Sequence, residues 1–434
     1  MGADATLWRA ARWCGKGGGR RRIIAAGRGA ELLRPATSSG RATFLELFFD
    51  LAFVVALTRV SQRFADVGDD TGWVLLGGVG RTLLLFLALW LIWSHTAWIT
   101  SRYEPEQPII QAVVVGTMFA GLIMAVTLPR AMEERALPFV AAYLMVMVVR
   151  PLVIAAALRG HPRRLVPFRL AVWASVSAPL WLAGALGPDR LRLPLWAVAL
   201  AVDYLAWGLG WPLPWLGASK VSHWRIAGTH LADRYQQVVL IALGESILII
   251  GVVFSGADYS AERAAAFAVA FATSALLWRI YFYRAGLLLS DALARAAMPG
   301  RLGTASERTH LLIVLSVLVT AVGYELVIDD PYGPAQPSWL LFVVGGPVLF
   351  LVARIRLEYE IFGRLSWSRV IGLVVLVLFT PLLARWAPMV GLSVVASLLA
   401  VVALLDAMRS RGRPLEVPSS PVGRATSGDP DAEA

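Results

Sequence analysis

Residues 235–255 read YQQVVLIALGESILIIGVVFS, an apolar run whose one fully charged side chain, Glu245, falls near its middle. A helix that crosses a bilayer needs about 20 mostly apolar residues, because hydrocarbon offers no partner to backbone N–H and C=O groups. This stretch meets that length. Gly244 allows a neighbouring helix to come close, and Ser246 can hydrogen-bond across such a contact.

Working outward, the same pattern recurs along the chain. Further spans are expected at 44–64, 73–93, 109–128, 136–158, 166–186, 193–213, 263–283, 310–328, 338–354, 369–385 and 388–407, about twelve in all at the usual span length. The last two are separated only by Arg385 to Pro388 and also fit a re-entrant pair. The 434 residues are 58% hydrophobic and only 16% charged, against roughly 25% charged in soluble domains. Mean hydropathy is +0.66. The fold class expected is an all-α polytopic membrane bundle spanning 44–407. It is flanked by a basic, flexible tail at 1–43 and a Pro/Ser/Gly/Arg-rich tail from 408 that cannot bury enough apolar area to order itself.

The net charge of +11 would suggest nucleic acid in a soluble protein. Here the basic residues gather in alternate loops, including Arg159 to Arg164 and Arg354 to Arg369, so they read as an orientation signal. With both termini cytoplasmic, the tails and inside loops hold the larger part of the 40 Lys and Arg residues. The opposite loops carry acids such as Asp66, Asp69, Asp70, Asp329 and Asp330. A cell-membrane location follows, with the lipid bilayer as partner and no nucleic acid. The first 43 residues lack a small-residue cleavage site and do not read as a signal peptide. Cys14 is the one cysteine, so no intramolecular disulfide forms. Trp73, Trp98, Trp215, Tyr332, Trp339 and Trp386 lie near span ends, as an interfacial aromatic belt requires. Trp90, Trp93 and Trp278 lie deeper or beside charge.

Ionisable side chains inside spans are expensive and point to function or to structural pairing. Glu46 and Asp50, in Phe44-Leu-Glu-Leu-Phe-Phe-Asp-Leu-Ala-Phe53, are four apart and share one helix face. They suit a proton- or cation-binding pair, although Glu46 also suits a helix start. Glu245 and Ser246 form the second candidate group. Arg150, Arg234 and Arg279 are candidate charge partners, with Arg150 or Arg279 expected against Glu46, Asp50 or Glu245. Pro151 should kink the helix just after Arg150. Asp203 lies midway along its span, and Glu325 toward the end of another. His310 and His95, near span ends, are candidate proton relays or ordinary interfacial side chains. The five histidines show no metal-ligand spacing, and P-loop, dinucleotide and GxSxG patterns are absent. No metal and no cofactor are expected. Acidic residues mark the first and seventh spans, and Trp-rich ends follow in the second and eighth. This is the arrangement of a six-plus-six repeat.

The segment Leu45-Glu-Leu-Phe-Phe-Asp-Leu51, with Phe53 and Ala56, resembles the signature of the bacterial low temperature requirement A family. Residues 230–251, with Asp233-Arg234 and Leu243-Gly-Glu-Ser246, resemble its second signature. Trp278, Tyr281-Phe282, His310 and Ala321-Val-Gly323 also fit. Asp233 stands where a glutamate is expected. The resemblance implies an integral membrane protein and matches Glu46, Asp50, Arg234, Glu245, Ser246 and His310, without implying a molecular activity. The reading of the residues favours a proton- or cation-coupled secondary transporter of a small-molecule substrate. The alternatives are a membrane-embedded enzyme on a lipid or polyprenyl substrate, and a channel, sensor or structural protein. One polar cavity gathering Glu46, Asp50 and Glu245 is the expected mark of a working site.

Overall fold

The computed structural model describes residues 29–34, 40–214, 216–219, 228–334, 336, 338–412 and 416–422. Cys14, the Gly17 to Arg22 run, Trp215, His223 and Arg225 lie outside them. A helix occupies each expected span: α1 (Phe44–Ala65), α2 (Gly72–Thr100), α3 (Pro108–Thr127), α4 (Ala136–Ala157), α5 (Leu165–Leu186) and α6 (Asp189–Leu209). There follow α7 (Gly228–Gly256), α8 (Ala261–Tyr281), α9 (Leu287–Arg295), α10 (Pro299–Asp329), α11 (Trp339–Phe362), α12 (Trp367–Leu383) and α13 (Pro388–Ser410). Nine of the described helices are long and apolar enough to cross a membrane. Of the others at expected spans, α1 and α6 carry more charge and α12 is shorter. The protein is an all-α, multi-pass membrane protein.

Its sidedness is inverted relative to a soluble bundle. On α7, His230, Arg234, Glu245 and Ser246 are fully buried, while Leu240, Leu248 and Val252 are exposed to 46%, 54% and 63%. Apolar side chains at the surface need a hydrocarbon solvent, and the polar ones need the bundle interior.

Local chemistry sets the helix ends. Thr43 turns its backbone N–H and its hydroxyl onto the Glu46 carboxylate at 2.7 and 2.9 Å, the reciprocal cap that starts α1. Prolines open α3, α10 and α13, where the missing N–H would have had no partner. Pro151 does disturb α4, but upstream. The turn Met145–Val149 is wound wide, and the Arg150 N–H reaches back to the Met145 carbonyl, so the helix absorbs the proline as a π-turn.

Two boundaries differ from expectation. Residues 284–309 were expected as a loop. Instead the chain breaks sharply at Tyr283 and Arg284, the latter with φ 54°, and then forms α9 and the first turns of α10. Helix α10, about 46 Å long at 1.5 Å per residue, packs against α1, α7, α8 and α11. Glu307 and His310 therefore sit within a central helix and not near its end. Short described stretches of the tails lie against the bundle. Leu33 pairs with Tyr103, Arg34 donates to the Thr100 carbonyl at 2.8 Å, and Ser419 donates to Ile361 at 3.0 Å. These short segments are held on the bundle by backbone hydrogen bonds and, at Arg34, by the side chain.

Gly244 does not mediate a close approach, since a Cβ there would meet nothing within 4 Å. The close contact lies between α10 and α11, where a Cβ on Gly346 would stand 2.7 Å from the Thr320 nitrogen.

Candidate functional site

Helices α1 and α7 run parallel and carry matched polar side chains at one register. The guanidinium of Arg234 donates from both terminal nitrogens to the two Asp50 oxygens, each at 2.7 Å. One turn toward the helix N-termini, His230 Nε2 lies 3.0 Å from the Glu46 carboxylate. Both contacts join residues 184 positions apart. A carboxylate pair spaced by four thus faces a basic pair spaced by four, which is the side-chain repeat of one helical turn. All four side chains are at most 1% exposed. Trp93 Nε1 donates to Asp50 at 3.0 Å, and Ser101 bonds the other ring nitrogen of His230 at 2.9 Å. Asp233 accepts the Ala42 N–H at 2.7 Å and so ties down the backbone that leads into α1.

This arrangement corrects the expected partnerships. Glu46 and Asp50 do not share a proton between themselves; each has its own basic partner. That partner is Arg234 for Asp50, not Arg150 or Arg279. Arg279 lies 4.3 Å from the Tyr283 ring, and Arg150 donates to the Thr96 hydroxyl, because α4 and α8 point these side chains away from the α1–α7 seam. No cavity described here gathers Glu46, Asp50 and Glu245.

Glu245 sits on the same seam, about 16 Å farther along α7 at 1.5 Å per residue. Ser61 of α1 stands at the same offset from it as the two ion pairs and faces it. Among the described residues, neither Glu245 oxygen nor the Ser61 hydroxyl closes a hydrogen bond, and Glu245 is fully buried. Ser246 turns the other way, to the Leu243 carbonyl at 2.8 Å and to Ser274 of α8 at 3.1 Å.

A second buried network extends inward from Trp93. Tyr235 stacks on His310 with ring centres 4.8 Å apart. His310 is bonded through both nitrogens, to the Tyr281 hydroxyl at 2.8 Å and the Ser306 carbonyl at 2.6 Å. Glu307 accepts from Ser94 at 2.5 Å and from Trp98 at 3.0 Å. Trp98 is thus an interior hydrogen-bond donor and not a belt residue. Glu360 accepts from Thr309 at 2.7 Å. Asp203 is held by Tyr143, Ser177 and Trp181 at 2.7, 2.6 and 3.2 Å, three neutral donors that satisfy it as a structural acceptor. His95 is buried among Trp207 and Trp211 and makes no hydrogen bond among the described residues. Trp90 and Trp93 are interior, whereas Trp278 is 49% exposed.

The residues unforeseen as interior groups are Glu307, Glu360, Arg354, Arg369 and Asp406. Arg369 pairs with Glu358 and with Asp406, the latter at 2.6 Å. Glu358, Arg369 and Asp406 border a cavity of about 720 Å³ that Tyr283, Arg284 and Glu416 also line. The unforeseen groups stood in apparent loops or at span ends, so their charge read as solvated. The signal available was Ser94 and Trp98, two hydrogen-bonding side chains four apart on one face of a largely apolar helix.

The chain matches the family model for the bacterial low temperature requirement A protein over residues 41–404. It belongs to that family. The matched region runs from the cap of α1 into α13 and includes the whole α1–α7 seam. A protein of Rhizobium meliloti (strain 1021), described as uncharacterized, is 33% identical over 349 residues, 79% of this chain and 83% of its own. No solved structure matches. The two low temperature requirement A signatures therefore meet in space, the first supplying Glu46 and Asp50 and the second supplying His230, Arg234 and Glu245.

Proposed function

We propose that this family member is a proton-coupled carrier of the cell membrane, with Glu245 as the coupling group. The observation that carries the proposal is the isolation of that side chain. It is fully buried, faces Ser61 of another helix, and closes no hydrogen bond among the described residues. An ionised carboxylate without partner or water is strongly disfavoured in such a place, so the closed seam accommodates the neutral acid. Opening the seam to water on one side would permit ionisation, and closing it would require a proton. Differential binding of a proton to open and closed states is what coupling consists of.

A proton suits the site better than a metal ion. Hard cations take several oxygen ligands, and no group of three or more His, Cys, Asp or Glu side chains converges among the described residues. The contacts of Glu46 with His230 and of Asp50 with Arg234 fit a different task. They hold the neighbouring end of α1 against α7 and give the seam a fixed end about which Glu245 can be exposed. The alternation of basic loops supports cytoplasmic termini.

The test uses purified protein in liposomes loaded with a pH-sensitive dye, offered a panel of amino acids, sugars and organic cations under an imposed pH gradient. Wild type is expected to move protons with at least one solute. Glu245→Gln is expected to abolish the coupled flux while folding normally. Proton-coupled flux that persists in Glu245→Gln would refute the assignment.

A further inference from the structure

Arg150 is 5% exposed and has one hydrogen bond among the described residues, from Nη1 to the Thr96 hydroxyl at 2.8 Å. Its Nε and Nη2 are buried and have no hydrogen-bond partner among the described residues. Those two N–H groups point along one edge of the guanidinium, the fork that grips a carboxylate or phosphate through two parallel hydrogen bonds. An arginine so placed in a membrane bundle ordinarily has an anion, and none of the described residues that line its two cavities is acidic.

Two cavities meet at this side chain. One is a groove of about 250 Å³ between α3 and α4, walled by Val113, Gly116, Met145, Val149 and Val153 with Arg150 at its inner side. Met145, Val149 and Val153 are 43%, 50% and 37% exposed, so the groove opens toward the bilayer. The wide turn Met145–Val149 immediately precedes Arg150 and shapes this opening. The other is a small aromatic pocket of about 40 Å³ bordered by His95, Trp98, Trp207 and Trp211. Arg150 lies about 10 Å along α4 from Ala157, at 1.5 Å per residue, and the groove runs along α4 from Val153 to Met145 on its outer face.

We propose that Arg150 anchors an anionic amphiphile: its head, a carboxylate or a phosphate monoanion, is held by the free Nε–Nη2 edge, and one apolar chain lies in the α3–α4 groove. The fork supplies the head's charge and geometry. The groove supplies apolar walls for a chain that runs parallel to the surrounding lipid tails. The site is separate from the α1–α7 seam and stands without the coupling role of Glu245.

The experiment is equilibrium binding of radiolabelled oleate to the full chain in detergent micelles, with phosphatidylglycerol and inorganic phosphate as competitors. Wild type is expected to bind oleate saturably. Arg150→Gln is expected to weaken binding at least tenfold. Gly116→Leu is expected to do the same by filling the groove, and it should fold, because a Cβ at Gly116 meets nothing within 4 Å. Displacement by phosphatidylglycerol would assign the head to a phospholipid, and its failure to displace would assign it to a free carboxylate. Displacement by inorganic phosphate at equal concentration would overturn the proposal, since it would mean that the chain contributes nothing. Absence of saturable binding, or unchanged binding in Gly116→Leu, would overturn it too, even if Arg150→Gln fails to fold.

Discussion

Arg234 closes a two-pronged ion pair on Asp50, with both contacts at 2.7 Å and both side chains out of reach of solvent. Removing one partner of such a pair leaves an uncompensated charge, which costs about 3–5 kcal/mol. Asp50→Asn and Arg234→Gln should each lower stability on that scale in thermal unfolding of the purified protein. The double variant should lose less than the sum of the two, by at least about 1 kcal/mol. Strict additivity would show that the contact contributes no coupling.

Glu46 combines two tasks that can be separated. It caps α1 through Thr43 and faces His230. Glu46→Gln keeps a capping oxygen and should cost about 1 kcal/mol or less, whereas Glu46→Ala loses both interactions and should cost about 2 kcal/mol or more. Equal losses in the same unfolding assay would mean that the cap is energetically silent.

How far these pairs could be read from the sequence depends on what one helix can reveal. Periodicity put Glu46 and Asp50 on one face, and the length of each apolar run located the spans. Which helix lies opposite is decided by packing between segments far apart in the chain, and no local pattern encodes it. Arg150 and Arg279 therefore looked as eligible as Arg234. The start of α10 was hidden for a related reason. Ser306, Glu307 and Arg308 read as a polar loop, because burial of Glu307 depends on donors from Ser94 and Trp98, more than 200 positions away.

Those donors give a third prediction. Ser94→Ala and Trp98→Phe each leave a Glu307 oxygen buried without its hydrogen bond, at about 1–3 kcal/mol apiece. Unfolding midpoints should fall for both, and in Trp98→Phe the smaller ring adds a packing loss to that of the indole N–H. An unchanged midpoint in Trp98→Phe would indicate that its indole N–H is dispensable.

Glu245 should behave in the opposite sense to Asp50. No cation loses a partner when it becomes glutamine, so stability should change by less than about 1 kcal/mol. A fall as large as that of Asp50→Asn would reveal a basic partner and remove the basis for treating Glu245 as a coupling group. The comparison needs only unfolding curves, so it stands apart from any flux measurement.

The glycines separate packing from mere composition. Gly346 of α11 lies so close to α10 that a methyl group would meet the Thr320 nitrogen at 2.7 Å and its Cα at 2.9 Å, and backbone atoms cannot move aside as a side-chain tip can. Overpacking of this kind costs about 1–3 kcal/mol, so Gly346→Ala should destabilise the bundle. Gly244 lies on the exposed face of α7 with nothing within 4 Å of a Cβ. Alanine there gains about 1 kcal/mol of helix propensity at most, so Gly244→Ala should be neutral or slightly stabilising. Both substitutions add the same methyl group to a glycine in a long apolar helix. A loss of stability in Gly244→Ala would place a neighbouring helix against that face and would require a different packing of α7.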